Sequence, residues 1–248
     1  MKSRRNTRNA FTVIELLVVA AVILILLAML IPGTTKPHMK AFKTVCINNL
    51  RQLQQATGIY LYDWSHEPKN TNATRYPFVS WTDYRIPIQE NLGPKRVPSP
   101  KDSVFACPKD TFYYPMNSKV SKRIAQPLHE QSNYVFTSYA YNAGHTIIPA
   151  TGNNPAKTNF HGLAGMKLDS VAHPSKTVLL AEFAALAPFS WHDPQHSVLG
   201  DASRFNNAQD MLAFVDGHVA YAKMYYAGTN LAWDYNPPAG YDYQWSGD

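Results

Sequence analysis

Three sets of residues in this sequence are of types that do chemistry. Cys46 and Cys107 are the two cysteines among 248 residues. Bridged, they would close a loop of about 61 residues, worth roughly 4 kcal/mol in the chain-entropy account. Unbridged, they are two buried thiols, or ligands in a metal or redox site. The residues leave these readings open, and an extracytoplasmic location favours the disulfide. The second set is His192-Asp193-Pro194-Gln195-His196 with Glu182, Asp216 and His218, the one combination whose types resemble a metal site. Pro194 argues against a helix there, so His192 and His196 cannot share the helical face that a zinc-protease motif needs. The plain reading of this set is loop polarity and turn chemistry. The third is Glu15, a lone carboxylate in an apolar run, where an ionised group costs about 2.5–3.5 kcal/mol on insertion scales and demands a partner. There is no nucleophile elbow, phosphate-binding glycine loop or paired-carboxylate motif, so the residues give no positive sign of an enzyme.

The elements that must carry these residues follow from the hydropathy pattern. Residues 11–31, Phe-Thr-Val-Ile-Glu-Leu-Leu-Val-Val-Ala-Ala-Val-Ile-Leu-Ile-Leu-Leu-Ala-Met-Leu-Ile, hold the single charge of Glu15. As one helix they rise about 30 Å, the thickness of a bilayer's hydrocarbon core. The decamer before them carries Lys2, Arg4, Arg5 and Arg8 and no acid, which holds it in the cytoplasm and puts everything after residue 31 on the far side. A cleaved secretory signal fits less well, because the apolar stretch is too long and lacks a small-x-small site. The formal charge of +6 is concentrated at this end. Lys36, Lys40, Lys43 and Arg51 continue the basic bias, and from residue 52 onward fifteen basic residues face sixteen acidic ones. The neutral body argues against a nucleic-acid partner. A mean hydropathy of −0.29 excludes a polytopic membrane protein, and the ordinary apolar fraction of 45% excludes wholesale disorder.

The segment Arg8-Asn-Ala-Phe-Thr-Val-Ile-Glu-Leu-Leu17 resembles the processing site of type IV pilins and of the pseudopilins of type II secretion. In that family a basic leader is cut before a Phe whose new amino group is methylated. With Phe11 as the first mature residue, Glu15 is the fifth and Pro32 the twenty-second, where the family has its characteristic Glu and a helix-kinking proline. The residue before the cut is normally Gly, and here it is Ala10. The resemblance implies that Glu15 neutralises the Phe11 amine of a neighbouring subunit in a low-dielectric setting and so sets the stagger of a filament. It further implies a single-pass inner-membrane protein with its head in the periplasm or on a surface filament. The implied partners are prepilin peptidase, other pilin-like subunits and an inner-membrane assembly platform. Major pseudopilins often hold calcium in a carboxy-terminal loop, which makes Asp193, Asp201, Asp210 and Asp216 the candidate oxygen ligands; no EF-hand spacing supports them. The rival reading is a membrane-anchored extracytoplasmic binding protein or hydrolase that does not polymerise.

The rest of the chain supplies a stem and a head. Pro32-Gly-Thr-Thr-Lys-Pro37 interrupts the helical pattern. Met39, Phe42, Cys46, Leu50, Leu53, Thr57 and Tyr60 then mark one face of an amphipathic helix running to about Asp63. Residues 65–131 read as long loops with short helices. Residues 132–248 carry strand signals at Tyr134–Tyr141, Lys176–Phe183, Met211–Val215 and His218–Ala222, the last two joined by Asp216-Gly217 as a two-residue hairpin. The expected organisation is a leader at 1–10, an assembly helix at 11–31, a stem at 32–64 and a head at 65–248. The fold class is α+β, a long N-terminal helix with a small antiparallel sheet. Cys46-Ile-Asn-Asn-Leu, Phe105-Ala-Cys-Pro108 and Phe214-Val-Asp-Gly-His-Val219 also resemble a family of large pseudopilin-like proteins whose tail carries His, nine residues and Asp-Gly. Asn206 stands where that His would be. The tail aromatics Trp233, Tyr235, Tyr241, Tyr243 and Trp245 read chiefly as a strap over the protein's own sheet.

Overall fold

The apolar face of the stem is realised as a long helix. In the computed structural model, α1 runs Val13–Leu30 and α2 runs Thr35–His66. Pro37 is the third residue of α2, in the first turn, where its missing N–H removes no intrahelical bond. The described residues are 11–30, 35–66, 81–93, 97–114, 123–144, 162–187, 189–194, 208–225 and 236–248. Ala10, Pro32, Asp201, His196, Asn206, Trp233 and Tyr235 lie outside them.

The chain divides into two units, Met1–Ala41 and Phe42–Asp248. The described part of the first is α1 and the start of α2. Every large apolar side chain described in α1 is at least half exposed. At about 1.5 Å per residue its 18 residues rise roughly 27 Å. Among the described residues no helix is long and apolar enough to cross a membrane.

The second unit has one core. Along α2 the buried residues are Cys46, Asn49, Leu50, Leu53, Gln54, Ala56, Thr57 and Leu61, spaced as one helical face. The described sheet has four antiparallel strands in the order β1 (Tyr139–Tyr141), β2 (Val178–Glu182), β3 (Gln209–Phe214) and β4 (Val219–Lys223). Tyr139 pairs with Glu182, Ala181 with Leu212, and Ala213 with Val219, so the strands form a meander. The Gln54 amide donates to the Phe214 carbonyl, fixing α2 to β3. This is the expected α+β layout.

Two local expectations are corrected. The strand expected at Tyr134–Tyr141 is confined to Tyr139–Tyr141, because Val135 and Phe136 adopt left-handed φ values of 51° and 53°. Arg85, buried in the short helix α3 (Arg85–Ile88), donates through Nη1 to the carbonyls of both residues. The β3–β4 connection is also not a two-residue turn. Phe214 N–H donates to His218 O at 2.9 Å, leaving Val215, Asp216 and Gly217 as a three-residue loop. Both favoured two-residue forms need positive φ at the first central position, here Asp216, and of the three loop residues Gly217 alone has it, at 106°.

The tail is a strap in its described part. Tyr243 and Trp245 are buried, and Thr177 bridges Gln244 in parallel. Val178 N–H donates to Gln244 O at 3.0 Å and Gln244 N–H to Lys176 O at 2.8 Å.

Candidate functional site

Thr12 and Glu15 bracket the start of α1. The Thr12 N–H donates to Glu15 Oε2 at 2.8 Å and its hydroxyl to the same oxygen at 2.9 Å, while the Glu15 N–H donates to Thr12 Oγ1 at 3.3 Å. This is a capping box, in which Glu satisfies backbone donors that the first turn leaves open. The Thr12-x-x-Glu15 spacing carries that signal in the sequence, and the reading of Glu15 as a membrane charge passes over it. Phe11, just ahead of the helix, is 80% exposed.

The second constellation lies in the core of Phe42–Asp248. Cys46 comes from α2, Cys107 from the loop after Phe105, Glu182 from the end of β2 and His192 from the loop before β3; all four are buried. The two sulphurs are 2.6 Å apart, and both thiols are free. Cys107 Sγ is 3.4 Å from Glu182 Oε1 and 3.6 Å from His192 Nε2, and that nitrogen is 2.8 Å from Glu182 Oε1. Met211 N–H donates to Glu182 Oε2 at 3.1 Å. Burial opposes the charged form of His192, but hydrogen bonds to Cys46 and Glu182 and the charge of Glu182 outweigh it, raising its pKa to about 10. Burial pushes the Cys107 thiol well up. Among the described residues these four form the group whose donor atoms could surround a metal ion.

Residues 5–31 match the family model of the prokaryotic N-terminal methylation motif. The amino-terminal segment is therefore similar to that of type IV pilin-like proteins. No curated protein and no solved structure matches the chain. The match takes in Arg5, Arg8, Phe11, Glu15 and the whole apolar run at 11–31, the features on which the resemblance rests.

The carboxylates considered for calcium stand in different settings. Asp193 is exposed beyond Trp191 and His192, and its N–H donates to Ser190 Oγ at 3.0 Å. Asp216 sits in the hairpin loop, its Oδ1 2.6 Å from His218 Nδ1. Asp210 is fully buried on β3, neither oxygen has a hydrogen-bond partner, and burial followed by the nearby Glu182 charge raises its pKa well above the ordinary value. The sequence-level set His192, Glu182, Asp216 and His218 also separates: His192 and Glu182 meet in the core, whereas Asp216 and His218 pair at the exposed hairpin.

Sequence reasoning missed Asp110. It is buried and accepts from Leu128 N–H at 2.9 Å, His129 N–H at 3.1 Å and Ser138 Oγ–H at 2.7 Å. Its position three residues after Cys107, in a Cys-Pro-Lys-Asp turn, is the only sequence signal it gives.

Proposed function

We propose that the chain is a structural subunit of a type IV pilus-like filament or secretion pseudopilus, cut by prepilin peptidase before Phe11 and assembled through α1. The observation that carries this reading is an amino-terminal helix whose apolar side chains are exposed along its described length, with one carboxylate at the fifth position of the mature chain. Apolar surface of this kind is stable only when lipid or other subunits cover it. In the membrane, α1 together with flanking residues forms the anchor, and in the filament the α1 helices of successive subunits replace the lipid. The head then lies outside the cytoplasm.

Glu15 has two roles on this reading, and one substitution separates them. Glu15→Gln keeps an oxygen that can accept the capping hydrogen bonds but loses the charge that would meet a neighbour's Phe11 amine. Cells carrying Glu15→Gln are expected to process the chain normally, with an intact mass that begins at N-methylated Phe11, and to build few or no filaments. Assembly at the parental level in Glu15→Gln would overturn the assembly role. A cell-derived chain that begins at Met1, or beyond Ile31, would overturn the processing.

A further inference from the structure

The cysteine pair lies where three parts of the head meet. Cys46 is on the sheet-facing side of α2. One turn further, Asn49 Nδ2 donates to the carbonyls of Ser103 at 3.1 Å and Ala106 at 3.0 Å, clasping the loop that carries Cys107. The same Nδ2 reaches Tyr139 Oη on β1 at 3.3 Å. Cys107 is held from the other side: its N–H donates to Ser138 Oγ at 2.9 Å, and Ser138 N–H donates to Phe105 O at 2.8 Å. The Ser138 hydroxyl donates to Asp110 Oδ2, and Asp110 N–H donates back to Cys107 O at 2.9 Å. Helix, loop and sheet are therefore tied together by hydrogen bonds around two sulphurs that face each other at 2.6 Å.

We propose that Cys46 and Cys107 close a disulfide that staples α2 to the loop and sheet of the head. The pairing rests on the filament reading in one respect, that the head faces an oxidising compartment. The oxidant is another disulfide, carried by a protein or a small thiol. One cysteine thiolate attacks it and forms a mixed disulfide, releasing the first donor thiol. The second cysteine, as thiolate, then attacks the mixed disulfide and releases the other. One S–S bond forms and one is lost, two electrons pass from the cysteines to the donor, and the two thiol protons end on the released thiols.

The rival use of these atoms is a metal ion held by Cys46, Cys107, Glu182 and His192. The donor set would suit zinc, but the arrangement favours the staple. Glu182 already spends Oε1 on His192 and Oε2 on Met211 N–H. Two thiolates on one tetrahedral zinc, with bonds of about 2.3 Å, sit roughly 3.7 Å apart, well beyond the observed sulphur separation. The staple also suits a filament subunit. Tension passing along α2 into the head meets a covalent bond at Cys46 before it can peel the helix from the sheet.

The experiment is thiol alkylation of the full chain, unfolded with and without prior reduction, read by intact mass and by peptide mapping. Cell-derived protein is expected to take no label at Cys46 or Cys107 until it is reduced, and to yield a peptide pair linked through the two residues. Reduction of the folded chain in detergent is expected to lower its denaturant midpoint, whereas the double variant Cys46→Ser/Cys107→Ser does not respond to reductant. If the double variant fails to fold, the parental chain with and without reductant gives the same comparison. Full labelling without reduction, both in the cell-derived chain and after refolding in a glutathione redox buffer, would overturn the disulfide. So would one bound zinc per chain whose removal exposes both thiols. Closure in the glutathione buffer with open thiols in the cell would overturn the oxidising location instead. The N-methylated Phe11 mass, read from the same sample, reports on processing independently of either result.

Discussion

Asp210 is the residue whose burial most needs a compensating term. A carboxyl group without hydrogen-bond partners in a core costs about 1–3 kcal/mol as a neutral acid and more as an anion. Its raised folded-state pKa gives the sign of the effect on stability. The unfolded chain releases this proton near the ordinary value of 3.8 while the folded chain still holds it, so folding is penalised increasingly as pH rises above that value. Asp210→Asn removes the titration and keeps the shape. The stability of Asp210→Asn relative to the parent is expected to grow by about 1.4 kcal/mol per pH unit from that point until the folded carboxyl ionises. Denaturant midpoints measured across the acid range check it, and a pH-independent difference would mean that Asp210 ionises in the core. The same scale explains why Glu182 is tolerated: its two oxygens are engaged by His192 and by the Met211 N–H.

Elements differ in how far their own residues specify them. The face of α2 was legible because Cys46, Leu50, Leu53 and Thr57 repeat at helical spacing, and burial follows that spacing. The β3–β4 hairpin was legible in place, though its loop length turned on whether Asp216 would accept a left-handed backbone. The turn at Val135-Phe136 was not legible at all. Left-handed φ costs an L-residue roughly 1–2 kcal/mol, and the group that holds it, the Arg85 guanidinium, lies 50 residues upstream. Arg85 Nη2 also reaches Ser99 O at 3.1 Å and Asp102 Oδ2 at 2.7 Å, so one buried fork ties two segments to its own helix. An ammonium group offers no such planar fork. Arg85→Lys is expected to keep the charge and still destabilise the head by about 2–3 kcal/mol, read as a lower urea midpoint. A change within a few tenths of a kcal/mol would show that the turn holds itself.

At the scale of the whole molecule, the division after Ala41 separates two kinds of stability. Among the described residues the buried apolar core runs from Cys46 onward and draws on α2, the loops, the sheet and the tail, all within Phe42–Asp248. α1 contributes none of them among the described residues, and its described apolar side chains are exposed. The cysteine pair was legible as two residues worth bridging, but its neighbours Glu182 and His192 were not, since only the folded sheet brings the end of β2 and the loop before β3 up to α2. The Phe42–Asp248 unit therefore holds the described core, and on the reading proposed above α1 serves assembly. A chain that starts at Phe42 is expected to be soluble and monomeric, and to melt within a few degrees of the full chain held in detergent. Sedimentation and calorimetry on the two chains measure this. Self-association would require a second assembly surface on the head. A large loss of melting temperature would mean that the first turns of α2, before Phe42, carry stability that the buried core does not show.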